Sequence, residues 1–265
     1  MEFWLLYLAT GVFAGFLAGL LGVGGGLLIV PVLAFIFAAQ HFPEAQIMHL
    51  ALGTSLASIM FTSVSSLRAH HRHGAVEWRV VRGVVPGIVS GTLAGTVLAA
   101  QLSTFFLKVF FVVFLYYVAT QMIMNIKPKP SRELPGAVGM FAAGGVIGAV
   151  SSLVGIGGGT LSVPFMTWCN LKLHRSIGTS AAIGFPIALA GAVGYIVNGW
   201  MVDEALPAHS LGFVYLPALA GLVVASVLTA PFGAKLAHRL PVARLKKFFA
   251  LLLYVLGTRM LVSLW

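Results

Sequence analysis

The chain is poor in charge and nearly free of cysteine. Of 265 residues only 8% are charged, six are acidic, and Cys169 is the single cysteine. One thiol excludes an internal disulfide and points to no thiolate metal site. The acids are Glu2, Glu44, Glu77, Glu133, Asp203 and Glu204. None is evident inside an apolar run, so the sequence has no relay of membrane-buried carboxylates. Long polar stretches are missing too, which excludes a sizeable soluble domain. Hydrophobic residues make up 59% of the chain, far from a soluble balance. Apolar runs of spanning length recur from end to end, the pattern of a polytopic membrane protein. The opening stretch MEFWLLYLATG lacks a basic signal-peptide region and reads as the first membrane segment. A net charge of +10 does not here indicate nucleic acid, because the basic residues are spread thinly over short loops between apolar segments.

Apolar segments are expected at about 3–21, 27–39, 48–67, 83–101, 104–124, 136–154, 160–169, 176–198, 213–231 and 248–264. The second and seventh are too short to cross a core of about 30 Å comfortably. Both follow a glycine-rich interruption: GLLGVGGGLLIVP at 19–31 and SLVGIGGGTLSVP at 152–164. Charge decides whether each interruption lies in one crossing or in an out-and-back hairpin. All sixteen basic residues except Lys108 and Arg259 fall in four loops: Arg68–Arg82, Lys127–Arg132, Lys172–Arg175 and Lys235–Lys247. Loops 40–48 and 199–212 have no Lys or Arg and carry Glu44, Asp203 and Glu204. Hairpins put all four basic loops on the cytoplasmic side and both acidic loops outside, as the positive-inside rule requires. Single crossings break that rule in the second half. Both termini are then expected outside. Each half holds five segments, an odd number, so the expected fold is an all-α membrane protein of two inverted repeats. The first repeat is taken as 1–125, a cytoplasmic linker as 126–135 and the second repeat as 136–265. HLALGTSLA at 49–57 answers HRSIGTSAA at 174–182, and Pro86 in VVPG is matched to Pro217 in YLPA.

The interruptions are the leading candidates for chemistry. Pro31 and Pro164 suit a first helical turn, so the returning helices are expected to start there, with Gly22 and Gly155 opening the hinges. Gly24–Val30 and Gly157–Val163 are then expected to be irregular. Free amides and a positive helix end suit an anion, and irregular backbone at membrane depth requires burial in protein or a cavity. Gly24, Gly25, Gly26, Gly157, Gly158 and Gly159 are therefore candidate substrate-binding residues, from two hairpins meeting near the midplane. The competing explanation, close helix packing through small residues, is preferred for Gly11, Gly15 and Gly19. No Lys-Ser/Thr follows either glycine run, against a phosphate-binding loop.

Thr54, Ser55, Thr179 and Ser180 sit in the duplicated GTS triplets, with hydroxyls able to donate to an oxyanion or to bond back along their own helix. His49 and His174 precede the triplets near opposite surfaces, as candidate gates that titrate near neutrality or as solvated caps. His70, His71 and His73 are read as part of a basic loop, and no metal site or cofactor is expected.

The duplicated GVGGGLLIVP and GIGGGTLSVP, each followed by LGTSLA or IGTSAA, resemble the TauE/SafE family of sulfite exporter-like permeases, over essentially the whole chain. The resemblance implies transport of a small sulfur-containing anion, such as sulfite or an organosulfonate, across the inner membrane of a bacterium. Thr160 in the second motif faces Leu27 in the first, so a hydroxyl contribution there is one-sided. The expected activity is that of a secondary transporter working by alternating access, with an anion channel as the alternative. No enzyme constellation is visible. Expected partners are a small anion and membrane lipid, with a homodimer left open.

Overall fold

The computed structural model describes residues 2–21, 25–124, 131–237 and 242–264. They form α1 (Glu2–Leu21), α2 (Gly26–Ala39), α3 (Ile47–Arg72), α4 (Trp78–Gln101), α5 (Thr104–Ile123), α6 (Ala137–Val154), α7 (Gly159–Trp168), α8 (Leu173–Trp200), α9 (Leu216–Ala237) and α10 (Val242–Val262). A 3-10 turn at Glu44–Gln46 precedes α3, and an antiparallel pair, β1 (Ser210–Leu211) and β2 (Val214–Tyr215), precedes α9. Seven spans among the described residues are long and apolar enough to cross a membrane. The chain is thus an all-α, polytopic membrane protein. Its polarity is that of a lipid-exposed fold: Val138 is 83% exposed, whereas Thr54, Ser55 and Ser58 are fully buried. Apolar side chains face outward, and the hydroxyls that lipid cannot satisfy turn inward.

Both glycine interruptions are hairpins. Gln40, just past α2, donates through Nε2 to the Tyr7 hydroxyl in α1 at 2.9 Å, so α2 returns to the level where α1 begins. Trp168, ending α7, donates through Nε1 to Ser131 Oγ at 2.8 Å, and the Arg132 guanidinium lies 5.0 Å above its ring. The end of α7 thus returns to residues that precede α6. With 14 residues in α2 and 10 in α7, the returning arms span about 21 and 15 Å, short of a core of about 30 Å.

Small residues set the closest helix contacts. α1 lies parallel to α9, with Gly11 against Leu222, Gly15 against Ser226 and Gly19 against Ala230. α6 lies parallel to α4, with Gly144 against Val84, Gly148 against Ile88 and Gly95 against Ala149. The packing reading of Gly11, Gly15 and Gly19 is what the structure shows. α3 and α8 cross antiparallel at the centre, Leu56 meeting Gly191 and Ser63 meeting Gly184. α5 and α10 pair through Tyr116–Thr258 and Thr120–Tyr254 hydroxyl contacts at 2.9 and 2.6 Å.

Several expectations are corrected. α2 and α7 begin at Gly26 and Gly159, so Pro31 and Pro164 lie inside helices rather than starting them. A left-handed glycine, not the proline, ends each interruption, and each proline leaves the carbonyl four residues earlier without its usual donor. The basic stretch 68–82 is not a loop: Arg68–Arg72 continue α3, Arg79 and Arg82 belong to α4, and His70 is buried. Pro86 and Pro217 are not equivalent, since Pro86 is interior to α4 and Pro217 is the second residue of α9. Residues 126–130, half of the expected linker, lie outside the described residues.

The α4–α6 contact yields a paired test. A Cβ at Gly91 runs into the Gly145 carbonyl, whereas a Cβ at Gly145 finds ordinary contact, 3.8 Å from Gly87 O. Gly91→Ala is expected to destabilise by about 1–3 kcal/mol, and Gly145→Ala to be neutral or stabilising by up to about 1 kcal/mol. Thermal unfolding in detergent reads both as opposite shifts of Tm.

Candidate functional site

Gly25 and Gly158 cap α2 and α7 with nearly the same geometry. Gly25 has φ 77° and ψ −8°, and Gly158 has φ 75° and ψ −10°. This left-handed region disfavours any residue with a Cβ. Each glycine carbonyl accepts the first bonds of its helix: Leu28 and Ile29 N–H donate to Gly25 O, and Leu161 and Ser162 N–H donate to Gly158 O. The amides of Gly26 and Leu27, and of Gly159 and Thr160, precede those first bonds, as at any helix start. A third left-handed glycine, Gly155 (φ 67°, ψ 37°), ends α6.

The two hairpins touch. A Cβ on Gly26 runs into the Gly155 carbonyl. That carbonyl also accepts a bond from Ser55 Oγ at 2.8 Å. Ser55 of the first triplet thus pins the hinge of the second half. The other triplet hydroxyls are also engaged. Thr54 Oγ1 accepts from Tyr215 N–H and Thr179 Oγ1 from Glu77 N–H, each at 2.9 Å. These reciprocal bonds tie α3 to the entry of α9, and α8 to the entry of α4. Ser180 Oγ donates to Ile177 O at 2.8 Å.

Beside the contact lies a cavity of about 10 Å³, lined by Ala18, Ile59, Ser63, Ser66, Gly157, Ser180, Ala181 and Gly184. That is room for about one water. Of the expected site residues, Gly157 and Ser180 line it, and Ser55, Gly155 and Gly26 build the adjoining contact. Gly22 and Gly24 lie outside the described residues.

Four buried hydroxyls at or near the second interruption have no hydrogen-bond partner: Ser66, Ser151, Thr160 and Ser162. All are at least nine-tenths buried. Ser151 closes α6, 3.4 Å from where a Cβ on Gly158 would stand, while Thr160 and Ser162 open α7. Leaving such groups unpaired costs about 1–3 kcal/mol each, so their concentration around one helix start points to a ligand or water that satisfies them. The first interruption has Leu27 and Ile29 in place of Thr160 and Ser162. The polarity is therefore one-sided, as the Leu27–Thr160 difference implied.

Sequence reasoning missed Ser58, Thr62, Ser63, Ser66, Ser151 and Ser162. The signal was a hydroxyl every three or four residues along α3, at Ser55, Ser58, Thr62 and Ser66, which defines one helix face. Thr62 bonds Ser226 of α9 at 2.8 Å, which joins α9 to that face. The two histidines part company. His49 is buried, 3.0 Å from Ala99 O through Nε2 and stacked on Phe213. His174 is exposed in the first turn of α8, beside Arg175, which pairs with Glu77 at 3.1 Å. His49 is thus no solvated cap. No cluster of three or more His, Cys, Asp or Glu able to hold a metal occurs among the described residues.

Seven spans, two interior hairpins and a buried hydroxyl cluster define a multi-pass membrane protein with a polar site at membrane depth. The family profile for Sulfite exporter TauE/SafE matches residues 7–260, and the chain belongs to that family. It is 38% identical over 97% of its length to a probable membrane transporter protein of Haemophilus influenzae, covering 98% of that protein. A probable membrane transporter protein of Methanocaldococcus jannaschii is 24% identical, over 97% of this chain and 94% of the relative. YunE of Bacillus subtilis, likewise a probable membrane transporter protein, is 25% identical, over 76% of this chain and 82% of the relative. No solved structure matches. The protein is a membrane transporter.

The orphaned hydroxyls separate stability from binding. Thr160→Val keeps the side-chain shape and removes one unpaired buried group. Tm of the ligand-free protein is expected to stay level or rise, while oxyanion affinity falls about tenfold, as for a lost hydrogen bond to a charged group. Calorimetry measures both on the same preparation.

Proposed function

We propose that this protein is a secondary transporter that carries a small sulfur-containing anion, such as sulfite or an organosulfonate, across the bacterial inner membrane by alternating access. The observation that carries this reading is the start of α7, where left-handed Gly158 caps a helix whose first residues carry the unpaired hydroxyls of Thr160 and Ser162, with the unpaired Ser151 hydroxyl 3.4 Å from where a Cβ on Gly158 would stand. Amide donors, hydroxyl donors and the positive helix end stabilise a tetrahedral or pyramidal oxyanion without a fixed countercharge. An uncharged site also releases the anion more readily than a buried arginine would. Membership in a family described as sulfite exporters supports the substrate class.

Helix directions support two inverted repeats, with 1–125 as the first, 126–135 as a cytoplasmic linker and 136–265 as the second. α1 and α3 each run parallel to α9, through Gly11–Leu222, Gly19–Ala230, Thr54–Tyr215 and Thr62–Ser226. α6 and α8 each run parallel to α4, through Gly144–Val84, Gly148–Ile88, Thr179–Glu77 and Gly194–Thr96. Since α3 and α8 are antiparallel, α1 and α6 point opposite ways. A cavity of about 10 Å³ is too small for sulfite, so helices around it must move to admit it. That closure favours an occluding carrier over a continuous pore.

Arg68, Arg72, Arg79, Arg82, Lys172, Arg175 and Lys235 sit at one end of the bundle, and the positive-inside rule makes that end cytoplasmic. At the opposite end Gln46, two residues past Glu44, donates through Nε2 to Glu204 Oε2 at 3.1 Å, and that acidic end is then outside.

In proteoliposomes, sulfite or a small sulfonate is expected to move with saturable kinetics. Flux proportional to concentration at every concentration reached would point to the pore instead, and absence of flux for sulfite, thiosulfate and sulfonates alike would reject the substrate class. Single cysteines replacing Glu44 and Asp203, in a Cys169→Ser background, are expected to react with an impermeant thiol reagent from outside. Those replacing His73 and Lys172 are expected to react only from inside. All four side chains are exposed, so the reversed pattern overturns the orientation.

A further inference from the structure

The duplicated motifs place His70 and Tyr195 at equivalent positions. His70 follows Ser55 by the same interval as Tyr195 follows Ser180, and Gly19 stands in the first glycine motif where Ser152 stands in the second. The structure joins them in matching fashion. His70 Nε2 lies 3.1 Å from Gly19 O, and the Tyr195 hydroxyl donates to Ser152 O at 3.0 Å. Both side chains are buried. Both acceptors belong to the last turn of the helix entering an interruption, α1 in one case and α6 in the other. Carbonyls in a final turn lack intrahelical donors, so each contact is a side-chain cap supplied by a central helix.

Their placement relative to the cavity is equally ordered. Ser66 and Ala18 line the cavity. His70 is one turn beyond Ser66 on α3, and Gly19 directly follows Ala18 on α1. The His70–Gly19 contact therefore closes the cavity toward the basic end. Toward the other end, Leu56 fills the notch at Gly191 of α8. One turn further, Tyr195 holds Ser152 and packs edge-on against Phe213, which stacks on His49. Phe213 N–H also donates to Tyr195 O at 3.2 Å.

We propose that His70 and Tyr195 are the two latches of the transport cycle, each closing one approach to the hairpin site by holding the carbonyl end of the helix that enters an interruption. This rests on the carrier reading above. Opening toward the basic end releases His70 from Gly19 and lets α1, with α9 packed along it, move away from α3. Opening toward the acidic end releases Tyr195 from Ser152 and lets α6, with α4 packed along it, move away from α8. The latches act on helix position and touch no substrate.

The test uses the full chain with Ala181→Cys as a cavity reporter in a Cys169→Ser background, in right-side-out and inverted vesicles. Tyr195→Phe deletes only the hydroxyl. It is expected to raise labelling by an impermeant thiol reagent from the acidic end roughly three- to tenfold, the equivalent of one hydrogen bond, with no rise from the basic end. His70→Phe is expected to do the reverse. The exchanges Tyr195→His and His70→Tyr keep a donor at each place and are expected to restore the parental sidedness. A merely structural role would loosen the protein without direction. Equal rises from both ends, or no change in sidedness for either Phe variant, overturn the latches. If one Phe variant does not fold, the other decides alone. Sulfite and sulfonate flux is measured on the parent in the same vesicles. Sided labelling without flux removes the substrate reading and leaves the latches, and flux with unsided labelling does the opposite.

Discussion

Two left-handed glycines make the rest of this structure feasible. A helix that stops at membrane depth must place several amides and carbonyls where no water can satisfy them. Gly25 and Gly158, both left-handed, each cap a helix that begins at the very next residue. Gly26 then brings the first hairpin against Gly155 of the second, and the Ser55 hydroxyl satisfies the Gly155 carbonyl. Any side chain at these glycines forces the hairpins apart or the backbone out of its conformation.

The consequences spread outward from that contact. Because the hairpins need protein on every side, the long central helices α3 and α8 carry their hydroxyls inward, and Thr54 and Thr179 anchor each to the entry of a helix from the other half. Glycine pairs then seat α1 on α9 and α6 on α4. Each half is thus built partly from the other. The donor-rich site is lopsided, with hydroxyls at the start of α7 and aliphatic side chains at the start of α2.

Much of the architecture was legible because lipid imposes a simple rule on composition. The ten helices match the apolar runs, and the placement of Lys and Arg already favoured hairpins over single crossings. The errors have a common cause. Membrane helices do not stop where the apolar run stops: α3 continues past residue 67 through Arg68, buried His70 and Arg72, in what read as a loop, and α4 starts at Trp78 inside the same basic stretch. Proline misled in the same way. Its usual place in a first turn suggested starts at Pro31 and Pro164, but a left-handed glycine cap had already fixed the start five residues earlier. The hydroxyl face of α3 was visible as a three- and four-residue rhythm. Its role was hidden until the structure placed Ser66 on the cavity, Ser55 on the Gly155 carbonyl and Thr62 on Ser226, and the orphaned state of Ser151, Thr160 and Ser162 is a property of three-dimensional packing alone.

The central claim is that an oxyanion is held at the start of α7. The most direct measurement is anomalous scattering from crystals of the protein soaked in selenite, a heavier analogue of sulfite. The account calls for one selenium peak within hydrogen-bonding distance of the Gly159 and Thr160 amides and the Thr160 hydroxyl. A selenium site elsewhere in the bundle, or none at concentrations that saturate flux, contradicts it.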